Sequence, residues 1–425
     1  MLTNFVYPIN FSITKEILTN KIIFIHNYSD RLPIVSTIIF LKMGEIYEPH
    51  KLSGISELLQ ATITKGTKNR TAQQIAQEIE SLGGTISADS GDDFSTLSIS
   101  VRTQYFEHSV EILSDIFFNP TFPEEEIEKE KNNIIAGILA RKDNIFEVAI
   151  DELLCNMYGK KHPYGKHPYE IIKHIRKLSR KEILSWWENF YGIDYDNKNI
   201  IIVVSGDIEF QKAKQIIEKN FSNIKPIKIP SLKEYYFKNK PKIIRKKTHF
   251  KQAYLMYGYF APSIKIENFK KYLSLKLLNL YLGGGMSGKL FEILREEKSL
   301  CYETNCFYPT KFLDSHFVIY LGLDAKKINI AKQEIEKILN YLKYNGITQQ
   351  ELSECKNKLK GRYLLDHQTN LRQAWYLGFW EVLGLDYIYD KKYIEELENV
   401  SLDDIKNVIH EITEVKPYIL ELIPK

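Results

Sequence analysis

Ser53-Gly54-Ile55-Ser56-Glu57-Leu58-Leu59-Gln60-Ala61, followed shortly by Thr71-Ala72-Gln73-Gln74-Ile75-Ala76-Gln77-Glu78-Ile79-Glu80-Ser81-Leu82-Gly83-Gly84, spells two consecutive helices. In the second, Thr71 can cap the start, Ile75, Ile79 and Leu82 form an apolar stripe, and Gly83-Gly84 marks the stop. The first runs from Ser53 to Thr64. Upstream lies a β-rich run, Ile34 to Gly44, and downstream alternating strands fill Thr85 to Val101. Helices then follow over Tyr105 to Phe118, Pro123 to Ala140 and Ser179 to Tyr191, before a strand at Asn199 to Val204.

The same order recurs further along. A strand at Ala253 to Phe260 precedes helices at Asn268 to Leu282 and Ser287 to Glu297, strands within Cys301 to Leu323, and a helix at Lys326 to Tyr344. A long helical stretch from Thr348, a helix at Ser401 to Glu414 and a strand at Tyr418 to Ile423 complete it. Matching starts are 219, 216 and 222 positions apart (253 − 34, 287 − 71 and 401 − 179), which points to duplication. The 425 residues also exceed what one core organises, about 250–300 residues. Lys225-Pro226-Ile227-Lys228-Ile229-Pro230-Ser231 reads as an extended linker, because each proline removes a backbone donor and turns its predecessor away from helix. The expected organisation is therefore a first domain at 1–224, a linker at 225–240 and a second domain at 241–425. Strand runs punctuated by helix pairs favour an α+β class over a doubly wound one. Each domain should be a two-layer α/β sandwich, a mixed and mostly antiparallel sheet with helices packed on one face.

Composition narrows the function classes. With 44% hydrophobic and 26% charged residues the chain can build real cores. A formal net charge of +4, from 58 basic and 54 acidic residues, is too small a surplus to argue for nucleic acid or a membrane surface. Met1 to Asn20 has no cationic lead into an apolar run, and no stretch approaches the roughly 18 apolar residues of a membrane span. Cys155, Cys301, Cys306 and Cys355 are too sparse for a disulfide framework. A reducing, cytoplasmic setting is expected.

The stretch from Ser53 to Ala61, with Lys65-Gly66-Thr67-Lys68-Asn69-Arg70 and the helix that follows, resembles the zinc-site region of the pitrilysin/insulinase (inverted zincin) peptidases and the processing peptidases. Their helix carries His-x-x-Glu-His. The resemblance covers almost the whole chain and includes His162-Pro163-Tyr164-Gly165, Gly283-Gly284-Gly285-Met286-Ser287 and Arg295-Glu296 through Tyr302. It places Glu57 at the first ligand histidine, Gln60 at the catalytic glutamate and Ala61 at the second histidine. The third ligand, a glutamate on a later helix, falls on Gly137. Catalytic zinc needs three protein ligands and a water, and a neutral amide cannot take a proton from that water. No metal is expected in this chain. Glu57 and Gln60 are read as an idle polar helix face, with contact to peptide in a chamber as the alternative.

Arg295 and Tyr302 match a pair that, in the resembled family, reaches into the zinc site, holds substrate and stabilises charge on the scissile carbonyl oxygen. Guanidinium and phenol suit that task, since both are hydrogen-bond donors. The resemblance thus implies the non-zinc subunit of a heterodimeric, clamshell-like peptidase, unable to cleave peptides alone. A homologous partner would supply zinc, and an unfolded peptide would bind by adding a strand to a sheet edge.

Other motifs carry less. Gly283 to Leu290 imitates a phosphate loop, but Leu290 stands where Ser or Thr must reach magnesium. A tight turn between helices is expected instead, with Gly284 and Gly285 as candidate peptide contacts. His162, His167 and His174 lie in a proline-broken segment and read as loop histidines in solvent. Two rival functions remain, an inactive peptide-binding or scaffold homologue of the processing peptidases, and an independent enzyme using another site.

Overall fold

The computed structural model describes residues 12–233, 235 and 240–425. Residues 1–11, where the leader expectation mostly falls, and 234 and 236–239 of the expected linker lie outside the described residues. Strands β1 (Ser12–Ile17), β2 (Ile23–Tyr28), β3 (Ile34–Leu41), β4 (Thr85–Ser90), β5 (Ser95–Arg102) and β6 (Ile200–Gly206) form one sheet, ordered β1-β2-β6-β3-β5-β4. Strands β7 (Ile243–Thr248), β8 (Ala253–Ala261), β9 (Cys301–Phe307), β10 (Ser315–Leu323) and β11 (Tyr418–Pro424) form a second, ordered β7-β11-β8-β10-β9. With β1 set aside, the two orders coincide strand for strand. In each, one pair is parallel, β2 with β6 and β7 with β11, and the other pairs are antiparallel. The duplication visible in the spacing is thus a duplication of topology, and both sheets are mixed and mostly antiparallel.

The helices of the first half are α1 (Ile55–Ile63), α2 (Ala72–Ser81), α3 (Phe106–Phe118), α4 (Glu124–Ala140), α5 (Ile145–Tyr158), α6 (Pro168–Ile175), α7 (Arg180–Phe190) and α8 (Phe210–Asn220). Those of the second are α9 (Phe269–Gly283), a π-helical segment Phe291–Glu297, α10 (Ile328–Asn345), α11 (Gln349–Asp366), α12 (Asn370–Val382), α13 (Tyr389–Glu398) and α14 (Leu402–Glu414). Local chemistry explains their ends. Thr71 caps α2 as its sequence promised: its hydroxyl accepts from the Gln74 N–H at 3.2 Å, and the Gln74 side chain accepts from the Thr71 N–H at 2.8 Å. Ser401 and Asp404 repeat the device on α14. The long helical stretch expected from Thr348 is three helices, because Thr369 caps a new start and Gly384, at φ +82°, ends α12.

The chain divides into two compact units, each drawn from three segments: 1–134, 174–232 and 366–388 in one, and 135–173, 233–365 and 389–425 in the other. The single boundary drawn through 225–240 therefore does not describe the packing. Residues 225–229 are held to the first unit, where the N–H of Ile227 donates to Ile193 O and that of Ile229 to Asp194. The halves exchange helices: α5, from the first half, packs on β8 and β11, and α12, from the second, packs on β3, β6 and β2. The exchange is reciprocal, since α5 and α12 occupy matching places in the repeat (370 − 145 = 225).

This exchange covers a second sheet face. Val35 to Leu41 of β3 are all buried, although successive side chains of a strand point to opposite faces. Phe40 points at α12, close enough that a Cβ on Gly378 would meet its ring. The first unit thus has helices on the expected face and one further helix on the other. Much of the seam under α12 is polar: Asn27 donates to Ser205 and to Gln373, each at 2.9 Å, and Lys15 of β1 pairs with Glu381 at 2.7 Å and Asp386 at 2.8 Å. No helix among the described residues is long and apolar enough to cross a membrane.

Candidate functional site

Three of the four positions that the resemblance puts at metal ligands and the catalytic glutamate, Glu57, Gln60 and Ala61, sit on α1, whose start is held by Glu48. Its two carboxylate oxygens accept from the N–H groups of Gly54, at 2.9 Å, and Ser56, at 3.0 Å, and complement the helix dipole. Glu57 is exposed, Gln60 is buried, and Ala61 is half-buried. The Gln60 amide N–H donates to the Tyr191 hydroxyl at 3.0 Å, and its carbonyl oxygen, also buried, has no partner. Burial pushes the Tyr191 phenol well above its usual range. The two positions read as one polar face therefore part company, and Gln60 belongs to the core. Gly137, on α4, is exposed and has open space beside it. One outward carboxylate, one core amide, a methyl and a glycine do not fit a zinc ion. Among the described residues no group of three or more His, Cys, Asp or Glu side chains is placed to hold a metal.

Lys65 to Arg70, part of the resembled stretch, is a structural turn. Asp115 of α3 accepts from the Thr67 hydroxyl at 2.7 Å, the Asn69 amide at 2.6 Å and the Arg70 guanidinium at 2.7 Å. Burial opposes ionisation of this carboxyl, but these donors prevail and hold it below its usual value.

Arg295 and Tyr302 lie in irregular backbone. The Arg295 segment is wound as a π-helix, a form that is uncommon and concentrated at functional positions. Its guanidinium rests over the Phe291 ring, 4.7 Å from the centroid. Ser299 then takes a left-handed conformation at φ +49°. Tyr302 is the extra residue of a β-bulge: Gly322 pairs with Glu303 and Leu323 with Cys301, leaving Tyr302 unpaired at the start of an edge strand. A bulge re-aims side chains, and the Tyr302 ring is 60% exposed. The matching places in the first half are regular. There α2 is an ordinary capped α-helix, and β4 pairs with β5 without a break through Ile86, the counterpart of Tyr302 (302 − 216). Distortion is thus confined to the copy that carries the two donors. Both side chains are exposed, and both are hydrogen-bond donors.

The glycine turn has structural reasons of its own. A Cβ on Gly283 would meet Cys306 N of β9 at 2.4 Å, one on Gly284 would meet Leu280 O at 2.2 Å, and Gly285 sits at φ +90°. Lys358 of α11 ties the turn by donating to Gly284 O and, at 2.8 Å, to Ser287 Oγ. The histidines do not form one cluster. His162, expected in solvent, is buried against the rings of Tyr158 and Tyr164, its Nδ1 accepting from the Tyr164 N–H. Burial lowers its pKa to about 4. His167 faces Glu152 at 3.8 Å, and His174 meets His50 edge-on. Tyr158 and Tyr164 are visible beside His162 in the sequence, but that their rings close over it together with the distant Tyr235 is not.

Comparison with known proteins places this geometry. The sequence profile described as Insulinase (Peptidase family M16) matches residues 24–167, and that described as Peptidase M16 inactive domain matches 177–359. The chain is 27% identical to a Bacillus subtilis protein named uncharacterized zinc protease YmxG, over 91% of each chain. It is 21% identical to a Helicobacter pylori protein named non-peptidase homolog YmxG, over 94% of this chain and 91% of that one. A crystal structure described as peptidase M16 inactive domain from Pseudomonas fluorescens shares the fold at a TM-score of 0.87, with 19% identity, over 97% of this chain and 98% of that one. Two profiles of one family thus account for consecutive segments covering most of the sequence, and the chain belongs to peptidase family M16.

Proposed function

We propose that this chain is the zinc-free subunit of a two-chain metallopeptidase and that it contributes Arg295 and Tyr302 to hydrolysis at a homologous partner's zinc. The observation that carries this reading is the asymmetry between matching elements of the two copies: the π-helix and the bulge occur in the two elements bearing these donors and not in their first-half counterparts, and the residues the resemblance puts at the ligand positions on α1 and α4 offer no zinc set. A guanidinium and a phenol aimed at a developing oxyanion stabilise it without reorganisation. Zinc, its water and the general base belong to the partner, and an extended peptide binds by adding to a sheet edge. Gly284 and Gly285 are proposed as peptide contacts; Gly285 is exposed, whereas Gly284 is buried in the turn and could contribute only through its backbone. The four cysteines are unpaired, which suits a reducing, cytoplasmic compartment.

The test is to mix the purified chain with a homologous chain carrying His-x-x-Glu-His and follow cleavage of an unstructured peptide. Neither chain alone should turn over, and this chain should carry no zinc by elemental analysis. Tyr302→Phe should lower kcat of the pair on the order of a hundredfold while leaving assembly intact. Unchanged kcat would remove Tyr302 from the chemistry. A second reading, an inactive peptide-binding or scaffold homologue, draws support from the relative named as a non-peptidase homolog. It is distinguished by peptide binding without turnover in any mixture.

A further inference from the structure

Tyr302 owes its exposure to a bulge on an edge strand, and an edge strand has a ladder on one side only to hold its register. Among the described residues β9 is bonded to β10 alone. Something must therefore resist the one-residue slip that would erase the bulge and place Tyr302 opposite Gly322.

Tyr254, Gly322 and Glu303 stand in one row across β8, β10 and β9. A Cβ at Gly322 would lie 2.9 Å from the Tyr254 ring. The missing side chain on β10 is the space through which the Tyr254 ring crosses that strand, and its hydroxyl donates to Glu303 on the far side. Tyr320, two residues along β10 and on the same face, donates to the other carboxylate oxygen at 3.4 Å. Phe146 of α5 packs beside both tyrosines, its ring centroid 4.8 Å from that of Tyr320 and 6.4 Å from that of Tyr254. On the other side of Tyr302, buried Cys301 pairs with Leu323. In a regular strand residues two apart share a face. Here Cys301 and Glu303 are paired to consecutive residues of β10 and are drawn to opposite faces, with Tyr302 left over between them.

We propose that Glu303 is a positioning residue: its carboxylate, clamped by Tyr254 across Gly322 and by Tyr320, fixes the bulge that presents Tyr302. This rests on the role given to Tyr302 above, but the clamp can be tested without it. In the full chain, 3-fluorotyrosine at position 302 gives one 19F resonance. Glu303→Ala should shift or split it as β9 samples the slipped register, whereas Glu303→Gln, whose amide oxygen still accepts from Tyr254 and whose NH2 donates to the Tyr320 hydroxyl, should restore the parent signal. Tyr254→Phe, which removes only a hydroxyl, should move the signal in the same direction as Glu303→Ala. Spectra of both disruptive variants that superimpose on the parent overturn the clamp. In the two-chain enzyme, Glu303→Ala should lower kcat on the order of tenfold to a hundredfold with little change in KM, as expected for a misplaced donor. A displaced 19F signal with unchanged kcat overturns the positioning role. If the parent pair shows no turnover, the role of Tyr302 fails, and the resonance alone decides whether the clamp holds.

Discussion

Gly378→Ala tests the reciprocal helix exchange, because the same substitution has opposite signs in a free helix and in one docked as α12 is. A Cβ at position 378 would lie 2.0, 2.4 and 2.5 Å from three carbons of the Phe40 ring, against the roughly 3.5–4.0 Å of a relaxed carbon contact. Phe40 cannot give way easily: it is fully buried, its ring faces Phe94 at 5.7 Å, and β3 is paired on both sides. Overpacking of this severity belongs near the top of the usual range, about 3 kcal/mol. Replacing a helical glycine by alanine returns about 1 kcal/mol. The expected result is a net loss of about 2 kcal/mol. Gly361→Ala in α11 is the control, since nothing lies within 4 Å of its Cβ, and it should gain up to about 1 kcal/mol. Urea unfolding followed by tryptophan fluorescence reads both, with Trp375 and Trp380 of α12 as reporters. If Gly378→Ala proved as stable as the parent, α12 would not be seated on β3 as described, and the two-sided cover of that sheet would have to be abandoned.

Other outcomes follow from the same structure. Residues 1–224 and 241–425 made separately should each lack the helix that covers its sheet and should co-purify when expressed together; a first half that is monomeric and unfolds cooperatively alone would show that α12 is dispensable. His162 and His316 are held neutral by burial, with pKa values lowered to about 4 and about 3. Below about pH 6.5 the unfolded chain takes up protons that the native chain refuses, so stability should fall with pH by up to roughly 1.4 kcal/mol per pH unit per histidine. A denaturation midpoint that stays flat from pH 7 to 5 would contradict that burial. Asp115→Asn removes a carboxylate that its donors hold ionised, and it should destabilise by a few kcal/mol at pH 7. Its effect should shrink as pH falls through and below the carboxylate range, where the native carboxyl itself becomes protonated.

The sequence by itself determined many of the elements and their duplication. Periodicity and caps gave α2, α3, α7, α10 and α14, and the regular spacing of Ile34 with Ala253 and Ser179 with Ser401 exposed the duplication, because these signals are local. The resemblance of Ser53 to Ala61 to a zinc-site stretch put Glu57, Gln60, Ala61 and Gly137 at the motif positions, and that such residues make no zinc set is a matter of residue type. Tertiary structure alone decided where α5 and α12 pack, because helices that cover an already half-buried sheet carry apolar groups on more than one side and show no clean amphipathic stripe. It alone placed Gln60 in the core against Tyr191, far away in sequence, and buried His162 among Tyr158, Tyr164 and the sequence-distant Tyr235. The bulge at Tyr302 is likewise invisible in Cys301-Tyr302-Glu303, because it is defined by which residues of β10 stand opposite, and a ladder register is a property of two strands rather than of one.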